Sequence, residues 1–285
     1  MRDNRFYFTE GANMLKTDLH MHTCVSDGTW DVYELKDKLK ENNIKIFSIT
    51  DHDDIENAEL MSSVIKPSDD LTYIKGVELT ATYDNREYHL TMYNYDSKNK
   101  ELIEFLNWTK YLRLDFNDKF IHYMSQLHES VTFKDFLQYK EDRKRGGWKS
   151  SNYLMDKKIH KDMTEHFEDI KKSGLTITFK APEEVIKTCK KSGGYIFLAH
   201  PSYHYRNTVM PMEELKMWLE LGIDGIECFT PYNDIKQSEY YVDFCNKNNL
   251  MISGGSDCHG EFIPARKLGV PNISLNNLKI DKLLK

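Results

Sequence analysis

TDLHMHTCVSDG, residues 17–28, decides how the rest of the chain is read. Successive side chains of a strand point to opposite faces, so Asp18, His20 and His22 share one face. The turn that follows adds Asp27. Two imidazoles and carboxylates aimed at one spot are costly to desolvate unless something binds them. Groups elsewhere in the chain must meet them.

The bulk composition narrows the search. With 285 residues, 40% of them hydrophobic and 12% aromatic, the chain can bury a real core and is not disordered. A net charge of −6 argues against a long nucleic-acid partner, which would ordinarily call for a basic surface. Five cysteines, Cys24, Cys189, Cys228, Cys245 and Cys258, form no CxxC pair. With no signal peptide and no apolar run of membrane-spanning length, they read as reduced thiols of a cytoplasmic protein with no membrane partner. The sequence carries no signal of oligomeric state.

Apolar runs alternate with amphipathic segments. Strands are expected at 15–20, 44–50, 71–78, 88–95, 195–200, 224–229 and 250–254, and helices at about 31–42, 55–65, 100–128, 182–192, 211–221 and 235–248. Pro182 and Pro211, with acids close behind, mark helix starts. Alternating β and α over this length reads as an α/β barrel or wound sheet. Residues 1–13 read as an N-terminal extension to a domain covering 14–285. Within that domain 101–180 is a helical insertion, whose charged run KEDRKRGGWK (140–149) is expected to be a mobile polar loop. There is no P-loop and no GxGxxG.

The eleven histidines are unevenly placed. His122, His128, His160, His166 and His204 lie away from strand-like runs, while the other six sit beside them. The strand ends carry HMH (20–22) with Asp27, TDHD (50–53), GVE (76–78), His89, AHP (199–201) and GGSDCH (254–259). In barrel enzymes the C-terminal strand ends collect the working residues. Nitrogen and oxygen donors without paired thiolates suit Zn, Mn or Fe(II) rather than a structural cysteine site. Nine such donors exceed the roughly four that one zinc ion takes. Two or three ions sharing bridging carboxylates would use them all.

These motifs together resemble those of the PHP (polymerase and histidinol phosphatase) family, over roughly 14–100 and 193–270. The resemblance implies a distorted (β/α)7 barrel, TIM-like, with a trinuclear metal site. It implies phosphoester hydrolysis with two to three divalent ions (Mn, Fe or Zn). Carried over by motif, the ligands are His20, His22, Asp27, His52, Glu78, His89, His200, Asp257 and His259. The small stand-alone members it resembles act on nucleoside monophosphates or 3′,5′-bisphosphates.

The expected reaction is hydrolysis of a phosphomonoester of a small phosphorylated substrate, a nucleotide, by attack of a hydroxide bridging two ions. Glu78 is the bridging carboxylate, and Asp27, His52 and His259 hold a third ion. His204 is the candidate acid for the leaving group. Arg206, Lys149 and Arg113 are candidate substrate contacts, each weighed against a solvated or salt-bridged role. Asp18, Asp51 and Asp53 flank ligands and are expected to orient imidazoles by accepting their second N–H. Trp148, Tyr203 and Tyr205 could stack on a base or simply pack. Three rival readings stay open: a short-oligonucleotide 5′–3′ exonuclease or phosphodiesterase, an amidohydrolase-type C–N hydrolase, and a non-catalytic metal-binding regulatory domain.

Overall fold

The computed structural model describes residues 15–205 and 208–285. The expected N-terminal extension, 1–13, lies outside the described residues. The first third alternates strand and helix: β1 (Lys16–Asp18), α1 (Val32–Glu41), β2 (Ile44–Phe47), α2 (Glu56–Val64) and β3 (Thr72–Tyr73). Each helix buries one stripe; α1 buries Val32, Leu35 and Leu39 behind an Asp31–Glu34 capping box. The three strands pair in parallel in the order β1-β2-β3.

The rhythm then changes. β4 (Gly76–Tyr83) and β5 (Arg86–Tyr93) are joined only by Asp84 and Asn85, with φ of 48° and 57°. Two left-handed residues make the primed turn that matches strand twist, so these strands pair antiparallel. The expected strand 71–78 is thereby divided: Thr72–Tyr73 pairs with β2, whereas Gly76 onward pairs with β5.

Next come α3 (Lys100–Leu127), α4 (Phe133–Gln138), α5 (Lys149–Asp156), α6 (Met163–Ser173) and α7 (Pro182–Lys191). β6 (Tyr195–Leu198), α8 (Met212–Leu221), β7 (Gly225–Phe229), α9 (Ile235–Lys247) and β8 (Met251–Gly254) restore the β–α alternation. The second sheet has the order β4-β5-β6-β7-β8, antiparallel as far as β6 and parallel beyond.

The mixed α/β architecture is as expected, but the strands of the distorted (β/α)7 barrel do not form one closed sheet. The structure has two sheets whose edges meet through isolated parallel bridges, Met21 to Cys258 at one seam and His52 to Glu78 at the other. The reason is local. β1 and β3 are only three and two residues long. At the seams Asp257 and Asp53 adopt left-handed φ of 50°, which takes the chain out of a regular ladder. The sheets still share an interior: Leu19, Ile46 and Ile74 from the first pack with Tyr93, Phe197 and Met251 from the second. The His20 and His22 backbones join the neighbouring 254–258 segment, with His22 N–H donating to the Cys258 carbonyl at 2.8 Å. The ligand motifs are thus the stitches between the sheets.

Residues 101–180 carry most of α3 together with α4, α5 and α6, and Phe120, Ile121 and Met124 of α3 pack on Phe136, Tyr153 and Leu154. Its charged tip is not a free loop, contrary to the expectation. Gly147 N–H donates to the Asp27 carbonyl at 2.9 Å, Arg143 to the Val25 carbonyl at 2.7 Å, and Lys144 pairs with Asp31 at 2.7 Å. Gly146 makes this docking possible: at φ 71°, an added Cβ would stand 2.5 Å from Phe262 Cβ and 2.8 Å from the Asp27 carbonyl oxygen. Gly146→Ala is expected to lower stability by about 1–2 kcal/mol, measured as the denaturant midpoint of metal-free protein. An unchanged midpoint would contradict the docked arrangement.

Candidate metal centre

Both seams open onto one end of the interior. The segment after β1 delivers His20 and His22 there, and the following turn delivers Asp27. The segment after β2 delivers His52. β5 runs against its neighbours, so His89 in its first half lies beside Ala199, whose N–H donates to the His89 carbonyl at 3.1 Å. His200 follows β6, and Asp257 and His259 follow β8. His200 itself has φ 27°, a backbone state that non-glycine residues rarely adopt and that clusters at functional sites.

Glu78 is the hub. Its Oε1 lies 3.0 Å from His200 Nε2, 3.2 Å from His20 Nε2 and 3.2 Å from His89 Nδ1. Its Oε2 lies 3.1 Å from His52 Nδ1 and 3.3 Å from His22 Nε2. Asp257 Oδ1 is 3.1 Å from His22 Nε2, and Asp27 Oδ1 is 3.4 Å from His259 Nε2. All nine motif positions therefore converge. Three overlapping sets have donor atoms close enough to hold an ion: His22, Asp27, His52 and His259; His20, His22 and Glu78; and His52, Glu78 and His89.

Whether such a set fits a metal can be tested on its unpaired atoms. Asp27 Oδ1, His52 Nδ1 and Glu78 Oε2 are buried and make no hydrogen bond. The last two are only 3.1 Å apart. Lone pairs directed at a common point, rather than at each other, are what a cation needs and what a hydrogen-bonded core avoids. Burial alone would raise the Glu78 carboxyl, yet the His20, His89 and His52 imidazoles hold it well below its ordinary value. Burial disfavours charge on His20, but Glu78, Glu227 and Asp257 push its imidazole well above the usual range. Protons thus occupy, in the ion-free cluster, the role that cations would take, and binding a metal would release them.

The imidazoles are held from behind, though not by the residues expected. Glu227 Oε1 lies 3.1 Å from His20 Nδ1, and its Oε2 accepts the His200 backbone N–H at 2.7 Å. Glu87 Oε1 lies 3.0 Å from His89 Nε2, and the Asp257 carbonyl 2.7 Å from His259 Nδ1. Of the three expected supports, Asp51 acts indirectly, accepting from Ser26 Oγ at 2.6 Å while Ser26 stands 3.5 Å from His22 Nδ1. Asp18 instead accepts the Ser256 and Gly269 N–H groups at 2.9 and 2.8 Å, tying β1 to the chain end. Asp53 accepts from Thr80 and Arg113. Neither Asp18 nor Asp53 touches an imidazole, because their carboxylates satisfy backbone and guanidinium donors. Glu227 was detectable: it is the lone acid in the apolar strand GIECF, all five residues of which are buried.

A cavity of about 640 Å³ opens over the cluster. Arg113 lines it, 2.8 Å from both Asp53 Oδ2 and Thr80 Oγ1, with Trp148 5.2 Å from its guanidinium. Trp148 and Tyr203 also line it. Tyr205 does not; its hydroxyl is engaged by Glu214 and Arg86. Lys149 is turned away, its ammonium 4.6 Å from the Phe136 ring. His204 is exposed, outside the cavity wall, with Nε2 2.7 Å from the Glu87 carbonyl, which removes it as the leaving-group acid. Arg206 lies outside the described residues. Sequence reasoning missed Arg86 and Arg266, which line the cavity; Arg266 donates to Asp257 Oδ2 at 2.8 Å. Arg266 sits in an irregular stretch with no periodicity to mark it.

The fold and the cluster define a metal-binding α/β protein of the type the motifs implied. The PHP domain family model matches residues 18–171. The chain belongs to the PHP domain family. It is similar to the 5′-3′ exoribonuclease Rnm of Escherichia coli, 23% identical over 252 residues, covering 85% of this chain and 84% of that one. A 5′-3′ exoribonuclease of Haemophilus influenzae is 24% identical, covering 86% and 90%. Among solved structures, a Bifidobacterium adolescentis protein provisionally assigned as a metal-dependent phosphoesterase superposes with a TM-score of 0.78 at 24% identity, covering 94% and 93%. An amidohydrolase from Chromobacterium violaceum, with bound sulfate and no metal, gives 0.70 at 18% identity, covering 86% and 88%. At these identities the two structures speak for the fold alone. Among the described residues no helix is long and apolar enough to cross a membrane.

Proposed function

We propose that this chain is a metal-dependent phosphoesterase that cleaves a phosphate ester of a small nucleotide, a phosphomonoester in the first instance. The observation that carries the reading is the convergence of the buried, unpaired Asp27, His52 and Glu78 atoms with the imidazoles around them. On this reading His20, His22, Asp27, His52, Glu78, His89, His200, Asp257 and His259 hold about two or three divalent ions, Mn, Fe or Zn. When bound, such ions supply a water acidified towards neutral pH and positive charge for the phosphoryl oxygens.

The chain's own residues do the rest. Glu227 accepts the His20 Nδ1 proton, which leaves Nε2 bare towards the cluster; Glu87 does the same for His89 and the Asp257 carbonyl for His259. Glu78, with two oxygens facing different imidazoles, bridges the ligand sets. Arg266 and Arg86, at the cavity wall, bind the phosphate, while Arg113, committed to Asp53, braces Trp148. All five cysteines are free, which fits the reducing cytoplasm where we place the protein.

The relatives named 5′-3′ exoribonucleases favour a second reading, in which the same centre releases nucleotides from the 5′ end of short RNA. One assay separates the two. Metal-loaded protein is given nucleoside 5′- and 3′-monophosphates, 3′,5′-bisphosphates and a 5′-phosphorylated five-nucleotide RNA. The first reading predicts inorganic phosphate from the mononucleotides with the RNA intact. The second predicts 5′-mononucleotides from the RNA. A chelator is expected to abolish either activity. Hydrolysis of an amide or cyclic imide panel, with no phosphoester cleaved, would overturn both.

A further inference from the structure

Two of the histidines that the metal cluster leaves unused, His160 and His166, come together in the insertion. His160 is in the turn before α6, and His166 is on α6. Both are buried, 3% and 1% exposed. His160 Nε2 lies 3.1 Å from Asp169 Oδ2, and Lys172 Nζ takes the other Asp169 oxygen at 2.7 Å. His160 Nδ1 faces His166 Nδ1 at 3.2 Å. The Phe120 ring stands edge-on to His166, 5.2 Å between centroids. The opposite edge of His166, Nε2, has no hydrogen-bond partner among the described residues, and His166 is part of the wall of the cavity that opens over the metal cluster. The carboxylate and the facing nitrogens sit on opposite edges of His160, so the three groups do not converge as metal ligands do.

The line of hydrogen bonds fixes the proton positions. Lys172 holds the Asp169 carboxyl below its ordinary value, so it is an acceptor and His160 Nε2 carries the hydrogen. In a neutral His160 the other nitrogen, Nδ1, is then bare and accepts from His166 Nδ1–H. His166 Nε2 is left bare. Burial, with His160 adding to it, lowers the His166 imidazole to about 4, so this ring stays neutral at physiological pH. A neutral imidazole would by itself exchange tautomers freely; here Asp169, two residues away in the chain of bonds, chooses one.

We propose that the Asp169–His160–His166 chain presents a bare ring nitrogen to the cavity as the acceptor for the exocyclic amino group of a nucleobase. The neighbours of His166 suit a flat heterocycle: Phe116, Met163, Phe167 and Ile170 line the same wall. A buried acceptor among apolar side chains rewards a ligand that brings an N–H and penalises one that lacks it, because the nitrogen is then desolvated without a partner. His166 is thus a specificity-determining residue, and His160 and Asp169 are positioning residues that act through it. The inference rests on the nucleotide reading of the cavity and adds which bases it selects: adenine and other amino-bearing bases.

The test uses metal-loaded protein and two ligands that a phosphoesterase cannot cleave, the 5′-methylenephosphonate analogues of adenosine 5′-monophosphate and of purine riboside 5′-monophosphate. They differ only by the amino group. Calorimetry at pH 8 is expected to show the adenosine analogue binding about five- to tenfold tighter. In His166→Phe that ratio is expected to fall to about one, and in Asp169→Asn to fall part of the way. Independently of any ligand and of either variant's folding, ¹⁵N shifts of the parent protein should show His166 protonated at Nδ1 and bare at Nε2. The opposite tautomer, or a ratio near one in the parent, or a ratio unchanged in His166→Phe, overturns the proposal while leaving phosphoester hydrolysis standing. If neither analogue binds, the nucleotide reading falls and takes this inference with it.

Discussion

Glu78→Gln is expected to remove at least one bound ion per chain and to cut phosphoester turnover about a thousandfold or more, with the fold retained. Glutamine copies the shape of glutamate, so the fully buried site keeps its packing. What changes is charge and donor polarity. Five imidazole nitrogens lie within 3.0–3.3 Å of the two Glu78 oxygens. An amide would answer some of these lone pairs with N–H groups and could not bridge two cations. The ion-free protein offers a second readout. Glu78 is the largest influence raising His89 against the effect of burial, so the His89 titration followed by NMR should move down in the variant. Full metal content and full turnover in Glu78→Gln would remove Glu78 from the centre of the site.

Glu227→Gln is expected to weaken metal retention about 10- to 100-fold although Glu227 is not among the motif ligands. Its two oxygens serve His20 Nδ1 and the His200 backbone N–H. An amide has only one oxygen to give. If that oxygen keeps the His200 N–H, the amide nitrogen faces His20 and forces Nδ1 to accept, which drives the His20 proton onto Nε2, towards Glu78. If the amide turns over, an N–H meets an N–H at His200. Either arrangement misaligns a ligand. Chelator competition measures the affinity, and the metal-free protein should also lose about 1–3 kcal/mol of stability. An affinity equal to that of the parent would mean that His20 is oriented by something else.

How far the sequence carried these conclusions depends on what kind of signal each feature leaves. Helices with local start signals were legible to within a residue or two: Pro182 opens α7 and the expected 100–128 helix is found at Lys100–Leu127. The ligand motifs were legible because most are short runs just after a strand, and the structure brings all nine positions together, although Glu78 and His89 lie within β4 and β5. Features set by pairing between distant segments were not. The antiparallel direction of β5 hangs on Asp84 and Asn85 alone, and the seams between the sheets depend on bridges such as Met21 to Cys258. Asp18 and Asp53 were assigned by adjacency in sequence, but distant donors claim their carboxylates: the Ser256 and Gly269 N–H groups for Asp18, and Thr80 and Arg113 for Asp53. Glu227, distant in sequence, is the residue that reaches His20. The insertion's docking through Gly147 and Arg143 leaves no periodic trace either.

The most direct test counts ions. Metal-free protein is loaded with excess Mn²⁺, Zn²⁺ or, under anaerobic conditions, Fe²⁺ at pH 7.5, freed of unbound metal, and analysed for elements beside a His20→Ala/His22→Ala variant. The parent is predicted to retain about two or three ions per chain and the variant fewer than one. A folded parent that retains none with any of the three metals, or a variant that retains as many as the parent, would contradict the claim that these strand ends gather divalent cations.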